Sequence, residues 1–138
     1  MPENTEELAA RLRLAVTRLA RRLRQESDDP VSPTQVAALA TIERAGPLTL
    51  GELAEHEGVQ PPTITAAVGK LEDCGFVDRE VDPSDRRVTR VIVSPDGKRL
   101  LARVRTRKTA YLRRHLEQLE EEDRETLAAA ADILERLL

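Results

Sequence analysis

The stretch Val81-Asp-Pro-Ser-Asp-Arg-Arg-Val-Thr-Arg-Val-Ile-Val93 decides how this sequence folds. Two β-rich runs, Phe76–Val81 and Val88–Val93, flank a polar segment with two adjacent arginines. Short hairpin turns usually contain Gly or Asn, and this segment has neither. We therefore predict a two-stranded hairpin whose longer polar tip holds two fixed cations away from the body of the protein.

The rest of the chain predicts helices. Its 138 residues are 40% hydrophobic and include one Phe, one Tyr and no Trp, so the core must consist of Leu, Val, Ala and Ile. Leu and Ala are strong helix formers. Apolar residues at helical spacing predict four helices before the hairpin and two after it. The predicted class is mainly α with a small β-hairpin.

Helix-start and helix-stop patterns support that order. Ser32 with Gln35, and Thr49 with Glu52, have the spacing of a capping box. Gly75 is placed where a left-handed residue would end the fourth helix. We expect residues 32–94 to form a helix, a short helix, a tight turn, another helix and the hairpin, which is the layout of a winged helix-turn-helix.

Several protein classes are disfavoured by what the sequence lacks. A single cysteine excludes an internal disulfide, and no signal peptide or long apolar run is visible, so we predict a cytoplasmic protein with no membrane partner. Two histidines are too few for a metal site. With no catalytic motif either, we predict no enzyme activity, no metal and no cofactor. A helical interaction module that never touches DNA remains the alternative from another class.

Three segments resemble the MarR family of bacterial transcription regulators. They are Leu53-Ala-Glu-His-Glu-Gly-Val-Gln-Pro-Pro-Thr-Ile-Thr65, Leu71-Glu-Asp-Cys-Gly-Phe-Val-Asp-Arg79 and the run from Asp82 to Lys98. The resemblance covers about residues 32–101. It implies a homodimer that binds double-stranded DNA at a pseudo-palindromic operator, most often as a repressor released by a small aromatic or phenolic effector or by oxidation.

The resemblance also implies a division of the chain. Residues 1–30 would be an N-terminal dimerisation helix, residues 31–94 the winged helix-turn-helix lobe, and residues 95–138 the C-terminal dimerisation helices. The wing, about residues 82–88, would enter the minor groove, whose negative potential attracts arginine. By resemblance Arg87 reaches into that groove, while Asp85 or Asp82 holds the wing's shape. Arg86 would contact the minor groove or a phosphate, the alternative for the arginine pair being a solvated turn, and Arg90 on the strand could reach a phosphate.

The recognition helix is expected at about residues 61–74, in the major groove. Gln60, Thr63 and Thr65 lie at its start, the end that meets base edges, and Lys70 follows. Gln60 and Thr63 could instead cap the helix, and both roles are compatible. Many family members have an arginine after the Thr-x-Thr step, where this chain has Ala66. Direct hydrogen bonding to guanine is therefore expected to be limited.

The sequence leaves two interpretations open for the arginine-rich segment from Arg11 to Arg24 and two for Cys74. Net charge is only −3, but six arginines and no acid occur from Arg11 to Arg24. This segment is either a second DNA surface or the solvated face of a dimerisation helix balanced by the acidic residues 117–135. Cys74 is either a small residue packed behind the recognition helix or a redox sensor, although Glu72 and Asp73 oppose the lowered pKa that a sensor thiol needs.

Overall fold

The computed structural model describes residues 1–26 and 30–138. It confirms the predicted class, a mainly helical protein with a two-stranded antiparallel hairpin. Within the described residues no helix is both long and apolar enough to cross a bilayer. The elements in chain order are α1 Thr5–Arg24, α2 Pro33–Ala45, α3 Leu50–Glu57, α4 Pro61–Asp73, β1 Val77–Val81, β2 Thr89–Val93, α5 Pro95–Glu117 and α6 Glu121–Glu135.

The chain divides into two compact units. One consists of Met1–Glu26 together with Thr106–Leu138, and the other is Ser27–Arg105. The second unit, called the lobe below, contains α2, α3, α4 and the hairpin, together with the first part of α5. Its core consists of aliphatic side chains together with Phe76. The largest fully buried side chains are Leu39, Leu53, Ile64, Val68, Leu71, Val77, Val91, Leu100 and Leu101.

The helix boundaries in the lobe follow local side-chain chemistry. Ser32 and Thr49 both form the predicted capping boxes, in which their hydroxyls accept from the backbone N–H of Gln35 and Glu52. Gly75 has a φ of 78°, in the left-handed region where glycine is favoured, so the chain can reverse directly from α4 into β1.

The hairpin is extended by one further contact. β1 and β2 pair so that Arg79 lies opposite Val91. On the other side of β2, Leu48 forms an isolated antiparallel bridge with Val91: the Val91 N–H donates to the Leu48 carbonyl at 2.7 Å. No pattern in the sequence predicts this bridge. It anchors β2 to the segment between α2 and α3.

The first unit leaves much apolar surface uncovered in the single chain. Neither α1 nor α6 contains a buried residue. Both helices instead carry apolar side chains that are exposed in the single chain. The exposed large apolar side chains on these two helices are Leu8, Leu12, Leu14, Val16, Leu19, Leu127 and Ile133.

Candidate nucleic-acid interface

The wing tip is built from two successive Asx turns, which explains how it turns without glycine. The Asp82 carboxylate accepts from the Ser84 N–H at 2.8 Å, and the Asp85 carboxylate accepts from the Arg87 N–H at 3.1 Å. An aspartate that bonds the backbone two residues on mimics a backbone turn. The Val88 N–H also donates to the Asp85 carbonyl at 3.0 Å. The tip is therefore fixed by the two aspartates that the sequence places three residues apart.

Asp82 organises the base of the wing. Besides the Ser84 N–H, it accepts from the Ser84 hydroxyl at 2.6 Å and from Arg90 Nη1 at 2.8 Å. These hydrogen bonds from Ser84 and Arg90 hold the pKa of the Asp82 carboxyl well below its usual range. The hydrogen bond that Arg90 donates to Asp82 also raises the pKa of Arg90. Arg90, expected to reach a phosphate, is half-buried and paired with Asp82 within the wing.

Asp85 orients one of the two tip arginines. Its two oxygens accept from Arg87 Nε at 3.1 Å and Nη2 at 3.2 Å, a bidentate arrangement. The contact with Arg87 lowers the pKa of the Asp85 carboxyl. The Arg87 side chain nevertheless remains 90% exposed. Its neighbour Arg86 is exposed and has no ion-pair partner among residues 1–26 and 30–138.

The recognition-type helix α4 is seated by a buried face of Ile64, Ala67, Val68 and Leu71. The four predicted site residues Gln60, Thr63, Thr65 and Lys70 are exposed. Gln60 occupies the N-cap position, but its side chain makes no capping hydrogen bond. The Thr65 hydroxyl donates to the Pro61 carbonyl at 3.0 Å. Gln60 therefore leaves its amide available, whereas Thr65 has already used its donor.

A contact between α4 and the wing was missed by sequence reasoning. Arg79 Nε of β1 donates to the Glu72 carboxylate near the end of α4 at 2.7 Å. The two residues are seven positions apart across the turn at Gly75, and opposite charges at that separation were the available signal. The ion pair ties the wing's first strand to the helix before it.

The structure bears on the two features whose role the sequence leaves open, Cys74 and the arginines of α1. Cys74 is partly buried and lies against the core of the lobe, which favours packing over redox sensing. In α1, Arg11 pairs with Glu3 and Arg22 with Glu26, each at 2.8 Å, and the Arg22 guanidinium lies 4.8 Å from the Tyr111 ring centroid. Two of the six arginines thus have local partners.

Helices α3 and α4, joined by a tight turn at Gly58 and followed by the hairpin, define a winged helix-turn-helix. The MarR family model matches residues 31–89. An HTH-type transcriptional regulator of Mycobacterium leprae, ML2140, is 40% identical over 139 residues, covering 100% of this chain and 97% of that protein. The chain belongs to the MarR family of transcriptional regulators.

Solved structures agree with this assignment. A crystal structure of a transcriptional regulator from Pseudomonas aeruginosa PA01 has a TM-score of 0.86 at 39% identity and covers 99% of this chain and 97% of its own. A MarR family protein from Bacillus stearothermophilus has a TM-score of 0.80 at 27% identity, with coverages of 98% and 97%. The fold is therefore that of the family along nearly the whole chain.

One further relative is a repressor, and one protein with the same fold was solved bound to DNA. The HTH-type transcriptional repressor MdtR of Bacillus subtilis is 26% identical over 126 residues, covering 88% of this chain and 81% of MdtR. A point mutant of MepR from S. aureus, solved bound to an oligodeoxyribonucleotide, shares the fold with a TM-score of 0.72 at 20% identity, covering 99% of this chain and 100% of MepR. The family and its relatives ML2140 and MdtR are transcriptional regulators rather than enzymes.

Proposed function

We propose that this regulator is a homodimeric repressor that binds a pseudo-palindromic operator, with α4 in the major groove and the wing in the minor groove. The observation that carries the proposal is the pairing of two exposed reading elements on one lobe. The start of α4 presents polar side chains, the wing tip presents Arg86 and Arg87, and the Glu72–Arg79 ion pair links them. The repressor MdtR and the DNA-bound MepR are relatives with matching roles.

Each site residue has a proposed task. In the major groove Gln60 pairs with adenine, Thr63 and Thr65 contact base edges, and Lys70 contacts a phosphate or base. In the wing Arg87 enters the minor groove, oriented by Asp85. Arg86 and the unpaired N–H groups of Arg90 contact phosphates, which contribute affinity but not sequence information.

The dimer is supported by the uncovered apolar faces. Leu8 and Val16 of α1 are 45% and 49% exposed, and Leu127 and Ile133 of α6 are 47% and 51% exposed. A second copy of the chain would remove these side chains from water. A two-fold dimer would also present two copies of α4 to two half-sites about one helical turn apart. Because the operator is chromosomal DNA, we place the protein in the cytoplasm.

Relief of repression by a small aromatic acid is the remaining part of the proposal. Its support is a cavity of about 610 Å³ in the first unit, a size that suits a small ligand. Leu112 and Leu116 offer apolar surface for a ring. Arg113 and Arg124 also line the cavity, although Arg113 lies 3.7 Å from Glu117 and Arg124 donates to the Leu116 carbonyl, so a bound carboxylate would compete with these contacts. Hydroxybenzoic acids should therefore release bound DNA, and failure of the whole series to do so would argue against this part.

The repressor proposal is tested by binding to the DNA immediately upstream of its own gene. Fluorescence anisotropy at several salt concentrations, with a scrambled duplex as control, measures specificity and phosphate contacts together. We expect binding roughly a thousandfold tighter than to the scrambled duplex, with a steep loss of affinity as salt rises. Equal, weak binding to both duplexes would count against this operator, and selection from random-sequence DNA would then decide whether any operator exists.

A further inference from the structure

The middle of α4 has few side chains that can hydrogen-bond to bases. Discrimination by hydrogen bonds in the major groove relies mainly on Arg, Lys, Asn, Gln, Glu and Asp. From Pro61 to Gly69 the helix has none of these residue types. The nearest ones are Gln60 before this segment and Lys70 after it. Base pairs between the positions within reach of Gln60 and Lys70 must be recognised by groups other than these six residue types.

The exposed groups of this segment are methyl-rich. Thr63, Thr65 and Ala66 are all exposed. Because the Thr65 hydroxyl already donates to the Pro61 carbonyl at 3.0 Å, it has no proton left for a base acceptor. Methyl groups of alanine and threonine are suited to contact the 5-methyl group of thymine. A·T and G·C pairs each present two acceptors and one donor in the major groove, so the group that distinguishes them for a methyl-rich surface is the thymine methyl.

Gly69 has no explanation within the fold of the single chain. It lies inside α4 with helical backbone, where glycine is less stable than alanine. A Cβ added at Gly69 would meet nothing within 4 Å. By contrast, a Cβ at Gly97 would meet the Phe76 carbonyl oxygen at 2.2 Å, so that glycine is required by packing. Packing among the described residues therefore does not require glycine at position 69.

We propose that the centre of each operator half-site consists of A·T base pairs, recognised through thymine methyl groups by Thr63, Thr65 and Ala66. Gly69 allows α4 to come close enough to the groove floor for these contacts. Gln60 reads an adenine at one end of this segment, and Lys70 supplies the positive charge at the other. The inference rests on the proposed function, because it assigns the base pairs that the same DNA-binding helix selects.

The first test is selection of bound duplexes from a random library by the full-length protein, followed by replacement of each thymine in the selected site with uracil. Uracil lacks only the 5-methyl group. Each contacted methyl should contribute about a fourfold change in affinity, and replacements outside the half-sites should have no effect. Thr63→Ser, which removes the protein's methyl, should no longer respond to uracil at the thymine it contacts.

The second test is Gly69→Ala. The added methyl should weaken operator binding about tenfold, since it would occupy space needed by the DNA, while stability to denaturant stays the same or increases. The matched control is Gly51→Ala, because a Cβ there lies in ordinary contact with the Thr49 hydroxyl at 3.9 Å. It should retain wild-type affinity.

The outcomes separate this inference from the proposed function. If no sequence is enriched, the sequence-specific regulator itself is overturned. If an operator is enriched but its half-sites have G·C centres, or if uracil is neutral throughout, the regulator stands and the methyl-reading inference fails. It also fails if Gly69→Ala binds like the wild type, or if both glycine variants lose affinity equally.

Discussion

The wing and the recognition helix differ in how their exposed side chains are used. In the wing, Asp82 and Asp85 bond to the backbone and hold Arg90 and Arg87 in fixed positions. On α4, Gln60 makes no capping bond, and the exposed surface before Lys70 lacks charge. In the proposed complex the wing therefore supplies positive charge to the DNA backbone and one arginine to the minor groove, whereas α4 distinguishes base pairs in the major groove. Variants of each element test that division.

Replacing both tip arginines should cause the largest loss. In Arg86→Ala/Arg87→Ala, operator affinity should fall by more than about a hundredfold, because two charge-assisted hydrogen bonds at about 1.5–3 kcal/mol each total about 3–6 kcal/mol. The slope of log affinity against log salt should decrease by about two. Anisotropy titrations on operator and scrambled duplexes should both show the loss. The charge-matched control Arg114→Ala/Arg136→Ala removes two exposed cations outside the wing and should retain the slope. A loss confined to the operator would make the wing a sequence reader.

Gln60→Ala should affect sequence preference rather than stability. Because its side chain makes no capping bond, the free energy of unfolding should change by less than about 0.5 kcal/mol. Operator affinity should fall about tenfold, and only where an adenine occupies the contacted position. The matched control is the true cap Ser32, whose replacement by alanine should cost about 1 kcal/mol of stability. A Gln60→Ala variant as destabilised as Ser32→Ala would contradict this assignment.

The variant Asp85→Asn tests whether Asp85 acts by orienting Arg87 or only through its own negative charge. Asparagine can still accept from the Arg87 N–H, but it removes the carboxylate that holds the guanidinium. We expect affinity for the operator to fall severalfold, while affinity for the scrambled duplex rises because the wing gains net positive charge. Parallel increases on both duplexes would show that Asp85 acts only through its charge.

The smallest expected effect is that of pH on the wing. The pKa of both Asp82 and Asp85 is lowered from the ordinary value of 3.8, so the folded wing binds these protons less readily than the unfolded chain. Their contribution to wing stability is complete above 3.8 and is lost only as pH falls below that value towards the lower folded-state pKa values. The amide resonances of Ser84 and Arg87 should therefore not move with these carboxyls between about pH 5 and 8. A carboxylate-linked transition within that range would contradict the Asx turns.

Local patterns predicted most of the fold, because caps and helix stops depend on neighbours a few residues away. The capping boxes at Ser32 and Thr49 and the left-handed Gly75 are confirmed. The capping alternative for Gln60 is not realised, since residue type alone does not say which way a side chain turns. The Leu48–Val91 bridge was not predictable from periodicity, because it joins residues far apart in the chain through backbone atoms.

The wing shows the same limit at the site. The pair of Asp85 with Arg87 is local and could be predicted from the sequence, but the partner of Arg90 depends on the hairpin register. Asp82 continues β1 beyond Val81, and Val81 faces Thr89, so Asp82 and Arg90 are diagonal neighbours across the hairpin. Once the register is known, this ion pair follows. Without it, Arg90 is indistinguishable from a free phosphate contact.

Because of the Leu48–Val91 bridge, the Val91 amide is a probe of how often the DNA-binding lobe opens. Val91 lies on a strand flanked by β1 on one side and by Leu48 on the other, is 1% exposed, and donates its N–H at 2.7 Å. Such an amide exchanges with deuterated solvent only when the lobe opens as a whole, whereas amides at the wing tip can exchange through local fraying. The exchange rate of Val91 should therefore measure the global opening free energy of the DNA-binding lobe from a single resonance.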